Sequence, residues 1–312
     1  MNTVNLFFAC DDAYVPFLAV TLTSVKQHRD PNRHYAVRVL HTGISEAGCS
    51  RIGKLEEEGF TIGFYNISHR METLSHRLHT RDYYSASTYY RLFIPELFPE
   101  LKKALYLDCD LVLETDVAQL YDVELGTNLV GAVPDGMVGS IAEMALYVRN
   151  RLGFENPEKY FNAGVLLMNL EAMRAEGFTG IFLELLGRVK FQVAQDQDYL
   201  NVICRDRVTY LGYEWNTMPS GIQAAQPKLI HYNLDGKPWH KDGVAYEEIF
   251  WDYAARSGCL TQIRSIKRNY TCEQREAAAK QTLDLIGMCV KQAMDSRENA
   301  HIHRQIRRVV CC

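Results

Sequence analysis

The sequence of 312 residues contains no long apolar run. Nothing in it approaches the roughly 20 residues a membrane-spanning helix requires. The opening MNTVNLFFACDD carries an apolar stretch too short for a secretory leader and has no basic lead before it. These two absences lead us to expect a cytoplasmic protein, soluble or held peripherally on the inner face of a membrane. The nine cysteines are an odd number and form no CxxC pair, and Cys10, Cys109 and Cys204 sit inside apolar runs. They read as reduced, small core residues. Strong charge of one sign is also missing. The formal net charge is -4, which gives no footing for a nucleic-acid partner. There is no internal repeat and no low-complexity segment.

What is present is an ordinary globular composition, 47% hydrophobic and 23% charged, with 18 Tyr and 13 Phe to build a core. The charge is uneven. Residues 263–312 carry ten Lys and Arg against five Asp and Glu, while the rest of the chain is acidic. A basic tail on an acidic body suggests an anionic membrane surface as a partner for the tail. Arg304, Arg307 and Arg308 with Val309-Val310 are the residues that could make such a contact. A helical appendage packed on the body is the plainer alternative.

Strand-like and helix-like segments alternate along the first half. Val4–Cys10 reads as a strand, and Pro16 opens a helix whose Leu18, Leu22 and Val25 share a face. Tyr35–His41 is a second strand. Ser45 caps a helix expected to run to Glu58 and end at Gly59. Phe60–Ile67, Ala104–Leu107 and Leu129–Val133 are further strands, and Ser85–Leu92 reads as helical up to Pro95. This order predicts a doubly wound α/β sheet. Later, Ala163–Met168, Val208–Leu211 and Lys228–His231 are strand candidates. Helices are expected from about Glu171, over Phe178–Val189 and over Gln195–Cys204. Beyond residue 260 the character changes, and Leu283, Ile286, Val290 and Met294 keep a helical spacing.

The strongest chemical feature is Leu105-Tyr106-Leu107-Asp108-Cys109-Asp110. Carboxylates at i and i+2 of an extended chain project to one face. The apolar run before them delivers both to the C-terminal end of a strand, where open α/β sheets bind ligands. Such a pair suits Mg²⁺ or Mn²⁺, hard ions that prefer oxygen donors and keep positions open for phosphates. The plainer alternative is a solvated loop with two incidental acids. A third ligand would sharpen the reading, and His231 stands at the tip of the apolar run Lys228-Leu229-Ile230. Gly236, Lys237 and Pro238-Trp239 follow it. Glycine allows close approach to a phosphate, and lysine offsets its charge.

In order along the chain stand Phe8-Ala9-Cys10-Asp11-Asp12-Ala13-Tyr14, Tyr89-Tyr90-Arg91-Leu92, Leu107-Asp108-Cys109-Asp110, Phe161-Asn162-Ala163-Gly164-Val165, Gln195-Asp196-Gln197-Asp198, and His231 through Lys237-Pro238-Trp239. With these segments the sequence resembles glycosyltransferase family 8, which includes bacterial lipooligosaccharide galactosyl- and glucosyltransferases. The resemblance implies a GT-A fold, a Rossmann-like nucleotide-binding sheet with helices on both faces, over residues 1–260. A basic helical C-terminal extension follows over 261–312.

The resemblance also implies a retaining transfer of galactose or glucose from UDP-galactose or UDP-glucose to a glycan acceptor in polysaccharide or glycoconjugate synthesis. By the family's pattern Ala9, Asp11 and Tyr14 hold the uridine, although packing within the helix would explain Tyr14 equally well. Asp108, Asp110 and His231 coordinate Mn²⁺, with Mg²⁺ as the alternative, and Cys109 lines the same site. Gly236 and Lys237 meet the diphosphate, and Arg91 meets either the diphosphate or the acidic cluster, a surface ion pair being its ordinary explanation. Asn162, Ala163, Asp196 and Gln197 line the sugar site, with Asp196, Gln197 and Arg91 as the catalytic set. The sequence departs from the pattern at two places. Ala13 stands where Asn is frequent, and Leu234 occupies the position, three after His231, where Gly is usual.

Retention by double displacement needs a carboxylate on the far face of the sugar. Asp196 is the one chemically suitable group among these motifs, since Gln197 is an amide. The preferred alternative is front-face attack, in which a UDP oxygen takes the acceptor's proton. Two other readings compete. A phosphatase of the haloacid-dehalogenase type also uses an apolar strand ending in DxD. It places that motif near its first strand, and it leaves the Asn162 and His231 segments unexplained. A non-catalytic sugar-nucleotide-binding module would keep the fold and lose ligands, yet all three metal ligands are present.

Overall fold

A computed structural model of the chain describes residues 3–74, 78 and 86–310. Among them are nine strands, β1 (Thr3–Ala9), β2 (His34–His41), β3 (Phe60–Asn66), β4 (Lys103–Leu107), β5 (Leu111–Leu113), β6 (Val130–Pro134), β7 (Phe161–Asn169), β8 (Val208–Tyr210) and β9 (Leu229–His231). Each sequence-predicted strand is present within a residue or two at its ends. The chain forms two units. The first takes in Met1–Thr73, Ala104–Glu124 and Gly212–Ala278; the second takes in Leu74–Lys103, Leu125–Leu211 and Ala279–Cys312.

In the first unit, β3, β2, β1 and β4 lie side by side in that order and all parallel. Val4, Leu6, Phe7 and Phe8 of β1 are all fully buried, on both faces of the strand. A strand buried on both sides is what a helix-covered parallel sheet requires. The Val15–His28 helix follows β1 with its proline in the first turn, and Leu18, Leu22 and Val25 are buried as the spacing predicts. The Ser45 hydroxyl accepts from Gly48 N, the expected cap of the Glu46–Gly53 helix. That helix stops five residues before Glu58. Glu57 N donates to Phe60 O (3.1 Å) and Phe60 N to Glu57 O (2.9 Å) across the left-handed Gly59, φ 76°. This reversal takes the main-chain groups a continuing helix would need. A separate ribbon pairs β5 with β9 antiparallel, placing Leu111 opposite His231.

In the second unit β6 pairs antiparallel with β7 and parallel with β8. Every residue of β7 except Asn169 is buried. The helices Leu170–Ala175, Phe178–Arg188 and Asp196–Ile203 fall where the sequence places them. Two expectations need correction. The segment read as helical up to Pro95 is a tight 3-10 turn over Ala86–Phe93, followed by a short helix, Ile94–Leu97, that contains the proline. A first-turn proline costs a helix nothing, because that N–H has no partner within the helix. The Cys272–Met294 helix exists, but its apolar spacing picked the wrong face. Leu283 and Met294 are 68% and 69% exposed, while Leu285, Cys289, Gln292 and Ala293 are buried. In the Ser296–Val310 helix Ile302, Ile306 and Val309 are buried, and Asn299 accepts from Arg151 Nη1 at 3.1 Å. Arg304, Arg307 and Arg308 are exposed, so Val309 does not share their face. Among the described residues no helix is long and apolar enough to cross a membrane. The seven described cysteines are free thiols, five of them buried; Cys311 and Cys312 lie outside the described residues.

Candidate functional site

In the first unit the carboxylates meet the imidazole through the β5–β9 ribbon. β4 ends at Leu107, so Asp108 and Asp110 fall in the turn before β5. Because Leu111 faces His231 in the ribbon, Asp110 is one residue from the pairing, and Tyr232 N donates to Asp110 O at 2.8 Å. The buried Thr21 hydroxyl braces the turn from the first helix, 2.9 Å from Cys109 O and 2.7 Å from Leu111 O. Cys109 itself turns inward and donates its thiol to Ala9 O at 3.1 Å.

One donor atom from each of Asp108, Asp110 and His231 lies within 4.8 Å of the others. His231 Nε2 is 3.2 Å from Asp110 Oδ1 and 3.7 Å from Asp108 Oδ2. The ring's other nitrogen, Nδ1, is 3.0 Å from Asn216 Oδ1. An amide oxygen only accepts, so Nδ1 donates to Asn216 and the ring turns Nε2 toward the two carboxylates. Acceptors converging in this way, with one imidazole oriented by a hydrogen bond behind it, fit a divalent cation of the Mn²⁺ or Mg²⁺ kind. Tyr106 donates its hydroxyl to Asp108 Oδ1 at 2.9 Å and so fixes the half-buried member of the pair.

Lys237 is buried and donates to Asp110 Oδ2 at 2.5 Å and to Tyr232 O at 3.1 Å. Burial alone would raise the Asp110 pKa, but Lys237 and His231 hold it well below the usual carboxylate range. Burial would lower that of Lys237, and Asp110 raises it instead. Both groups are therefore charged. The Lys237 ammonium also lies 5.7 Å from the Tyr14 ring and 5.1 Å from the Trp239 ring. Asp11 is exposed, and its Oδ1 accepts from Tyr14 N at 3.1 Å. Tyr14 packs edge-on against Phe17 at 5.5 Å. In the loop after β9, Leu234 has φ 48°. A left-handed bend stands at the position where the resemblance leads one to expect glycine, carried here by a leucine. Gly236 is buried two residues later, where an added Cβ would stand 3.2 Å from Asn233 O.

The second unit brings Arg91, Asn162, Ala163, Asp196 and Gln197 together. Arg91 is 3% exposed, which rules out a surface ion pair; its Nε is 3.3 Å from Asp196 Oδ2 and its Nη1 donates to Ala163 O. Gln197 Oε1 accepts from Ala163 N at 2.9 Å and from Asn162 Nδ2 at 3.3 Å. Its amide nitrogen donates to Asp135 Oδ2 at 3.0 Å, as Asn162 Nδ2 does at 3.2 Å. Asp135 is the residue the sequence reading missed. It is buried, stands at the end of β6, and caps the Gly136–Ser140 helix through its other oxygen. The signal was present, since an acid after an apolar run sits at a strand end just as Asp108 does. A single Asp-Gly pair, however, reads first as a turn. Asn216, in a loop without a motif, was missed as well.

The family pattern described as glycosyl transferase family 8 matches residues 5–243. The lipopolysaccharide 1,2-glucosyltransferase of Escherichia coli K12 is 28% identical over 261 residues, covering 76% of this chain and 73% of that enzyme. Among solved structures, the galactosyltransferase LgtC in complex with donor and acceptor sugar analogs aligns with a TM-score of 0.68 and 28% identity, over 81% of this chain and 96% of that one. The bifunctional glycosyltransferase WbbM aligns with a TM-score of 0.72 and 28% identity, over 85% of this chain and 51% of that larger one.

Proposed function

The chain belongs to glycosyl transferase family 8, and from that premise we propose a metal-dependent, retaining hexosyltransferase that moves galactose or glucose from a UDP-sugar to a glycan hydroxyl. It is a glycosyltransferase with the fold of GT-A enzymes such as LgtC; the donor, ion and stereochemistry are our reading. The observation that carries it is the convergence of Asp108, Asp110 and His231, with the imidazole oriented by Asn216. Asp108, Asp110 and His231 would hold Mn²⁺, or Mg²⁺ in its place, which supplies Lewis-acid stabilisation of the departing diphosphate.

The chain's own groups do the rest. Lys237 carries a fixed positive charge that can follow the charge growing on the diphosphate. Tyr14, Asp11 and Ala9 take the uridine, and Gly236 lets the backbone approach the phosphates. In the second unit Gln197, Asn162 and Asp196 offer an amide, an amide and a carboxylate to sugar hydroxyls, with Arg91 holding Asp196. Front-face attack remains the preferred route, with Asp196 as the candidate nucleophile of the alternative. We take residues 1–260 as the catalytic part and 261–312 as a basic extension. Its exposed Arg304, Arg307 and Arg308 could meet an anionic cytoplasmic membrane surface, a contact that rising salt would weaken. The first test is hydrolysis of a UDP-sugar panel with and without Mn²⁺. Turnover of UDP-glucose or UDP-galactose only with the ion is the expected result, and hydrolysis of phosphate monoesters instead would overturn the assignment.

A further inference from the structure

The carboxylate of Asp198 stands outside the machinery assigned above. It is 0% exposed and accepts three hydrogen bonds. Tyr147 OH donates to Oδ2 at 2.8 Å, Tyr160 OH to Oδ1 at 2.7 Å, and Ala194 N to Oδ2 at 3.1 Å. Both tyrosines are fully buried themselves. A buried acid is costly unless its oxygens are matched by donors, so three donors aimed at one carboxylate mark a built arrangement. Burial nonetheless pushes its pKa up to about 6, with the two tyrosines pulling the other way.

What this carboxylate ties down is a strained turn. Gln195, immediately before Asp196 and Gln197, has φ 48° and ψ -114°, a conformation that L residues rarely adopt and that persists only where surroundings impose it. Asp198 is the third residue of the Asp196–Ile203 helix. Its reach back to Ala194 N, one residue before the Gln195 cap, closes the turn across Gln195. A hydrogen-bonded circuit then returns to the same helix. Tyr160, held by its hydroxyl to Asp198, accepts Asp135 N on its main-chain oxygen at 2.8 Å. Asp135 Oδ2 accepts from Gln197 Nε2, and Gln197 adjoins Asp198. One turn further on, the fully buried Asn201 bonds both Phe161 N and Phe161 O at 2.8 Å. That clamp fixes the strand residue before Asn162.

We propose that Asp198 is the positioning residue of this cluster. With Tyr160 and Tyr147 it imposes the Gln195 turn and so sets where Asp196 and Gln197 stand. This rests on the reading that those two residues face the transferred sugar. With no exposed surface, Asp198 itself does not touch the sugar and is not the nucleophile of a double displacement.

The test is Asp198→Asn, with Tyr160→Phe to decide the matter should Asp198→Asn fail to fold. Three readouts are needed: Mn²⁺-dependent UDP binding by thermal shift, kcat and KM for hydrolysis of UDP-glucose and UDP-galactose, and hydrogen exchange of the amides from Ala194 to Asp198. The proposal expects UDP affinity within about twofold of wild type, kcat lower by tenfold or more, and faster exchange confined to that turn. Wild-type exchange with wild-type kcat would overturn it. So would UDP binding and kcat falling in parallel with the folded fraction, since that is what a merely structural role produces. If the wild type hydrolyses no UDP-sugar at all, the functional reading fails, and unchanged exchange in both variants would then sink the positioning claim separately.

Discussion

In the first unit acceptors are crowded against one another, whereas in the second unit each acceptor of the cluster is met by a donor. Asp108, Asp110 and His231 Nε2 point at one another, with Tyr106 donating to one oxygen of Asp108 and Lys237 to one of Asp110. Asp135, by contrast, gives one oxygen to two main-chain N–H groups and the other to two amides. A cation held between the three groups would offset their mutual repulsion. The matched cluster is closed by its own hydrogen bonds. The difference teaches that one unit is built to hold charge and the other to hold geometry.

Four substitutions would break or sharpen that contrast. The largest effect should come from Asp110→Ala. It removes an ion ligand and strands the buried Lys237, so we expect UDP-sugar hydrolysis to fall about a thousandfold and stability to drop by about 3 kcal/mol in urea denaturation. Asn216→Ala should leave all three ligands in place but free the imidazole. Mn²⁺ affinity by titration calorimetry should weaken roughly 10- to 100-fold. Asp198→Asn should act in the second unit through pH. A carboxyl whose folded pKa is raised to about 6 keeps its proton in the folded state after the unfolded chain has lost it. The folded state then binds more protons between about pH 4 and pH 6, and wild-type stability falls as pH rises through that window. The variant should lack this fall, which melting curves across the window would show. Leu234→Gly should be smallest. It relieves the positive φ at Leu234 while adding unfolded-state freedom, for a net change within about 1 kcal/mol.

The sequence made the fold legible wherever a strand held a closed apolar run, as at Leu6–Cys10 and Ala163–Met168, because burial on both faces leaves little room for polar interruptions. It also pointed to Asp108 and His231, which each end such a run and which the structure brings together with Asp110. Other features needed the third dimension. The Cys272–Met294 helix has apolar residues on two faces, so spacing alone could not choose between Leu283 and Leu285. Asp135 and Asn216 join these clusters through partners distant in sequence, Gln197 for one and His231 for the other, and a local pattern does not report such pairs. Lys237 was expected at a diphosphate; that it is buried and bonded to Asp110 follows from the ribbon register that sets β9 beside β5.

The most direct test of the account is Mn²⁺ binding in the presence of UDP, read by electron paramagnetic resonance on wild type and on His231→Ala. The account predicts one ion per chain in the wild type and at least a tenfold loss of affinity in the variant. An ion held equally well without the imidazole, or none held by the wild type, would contradict it.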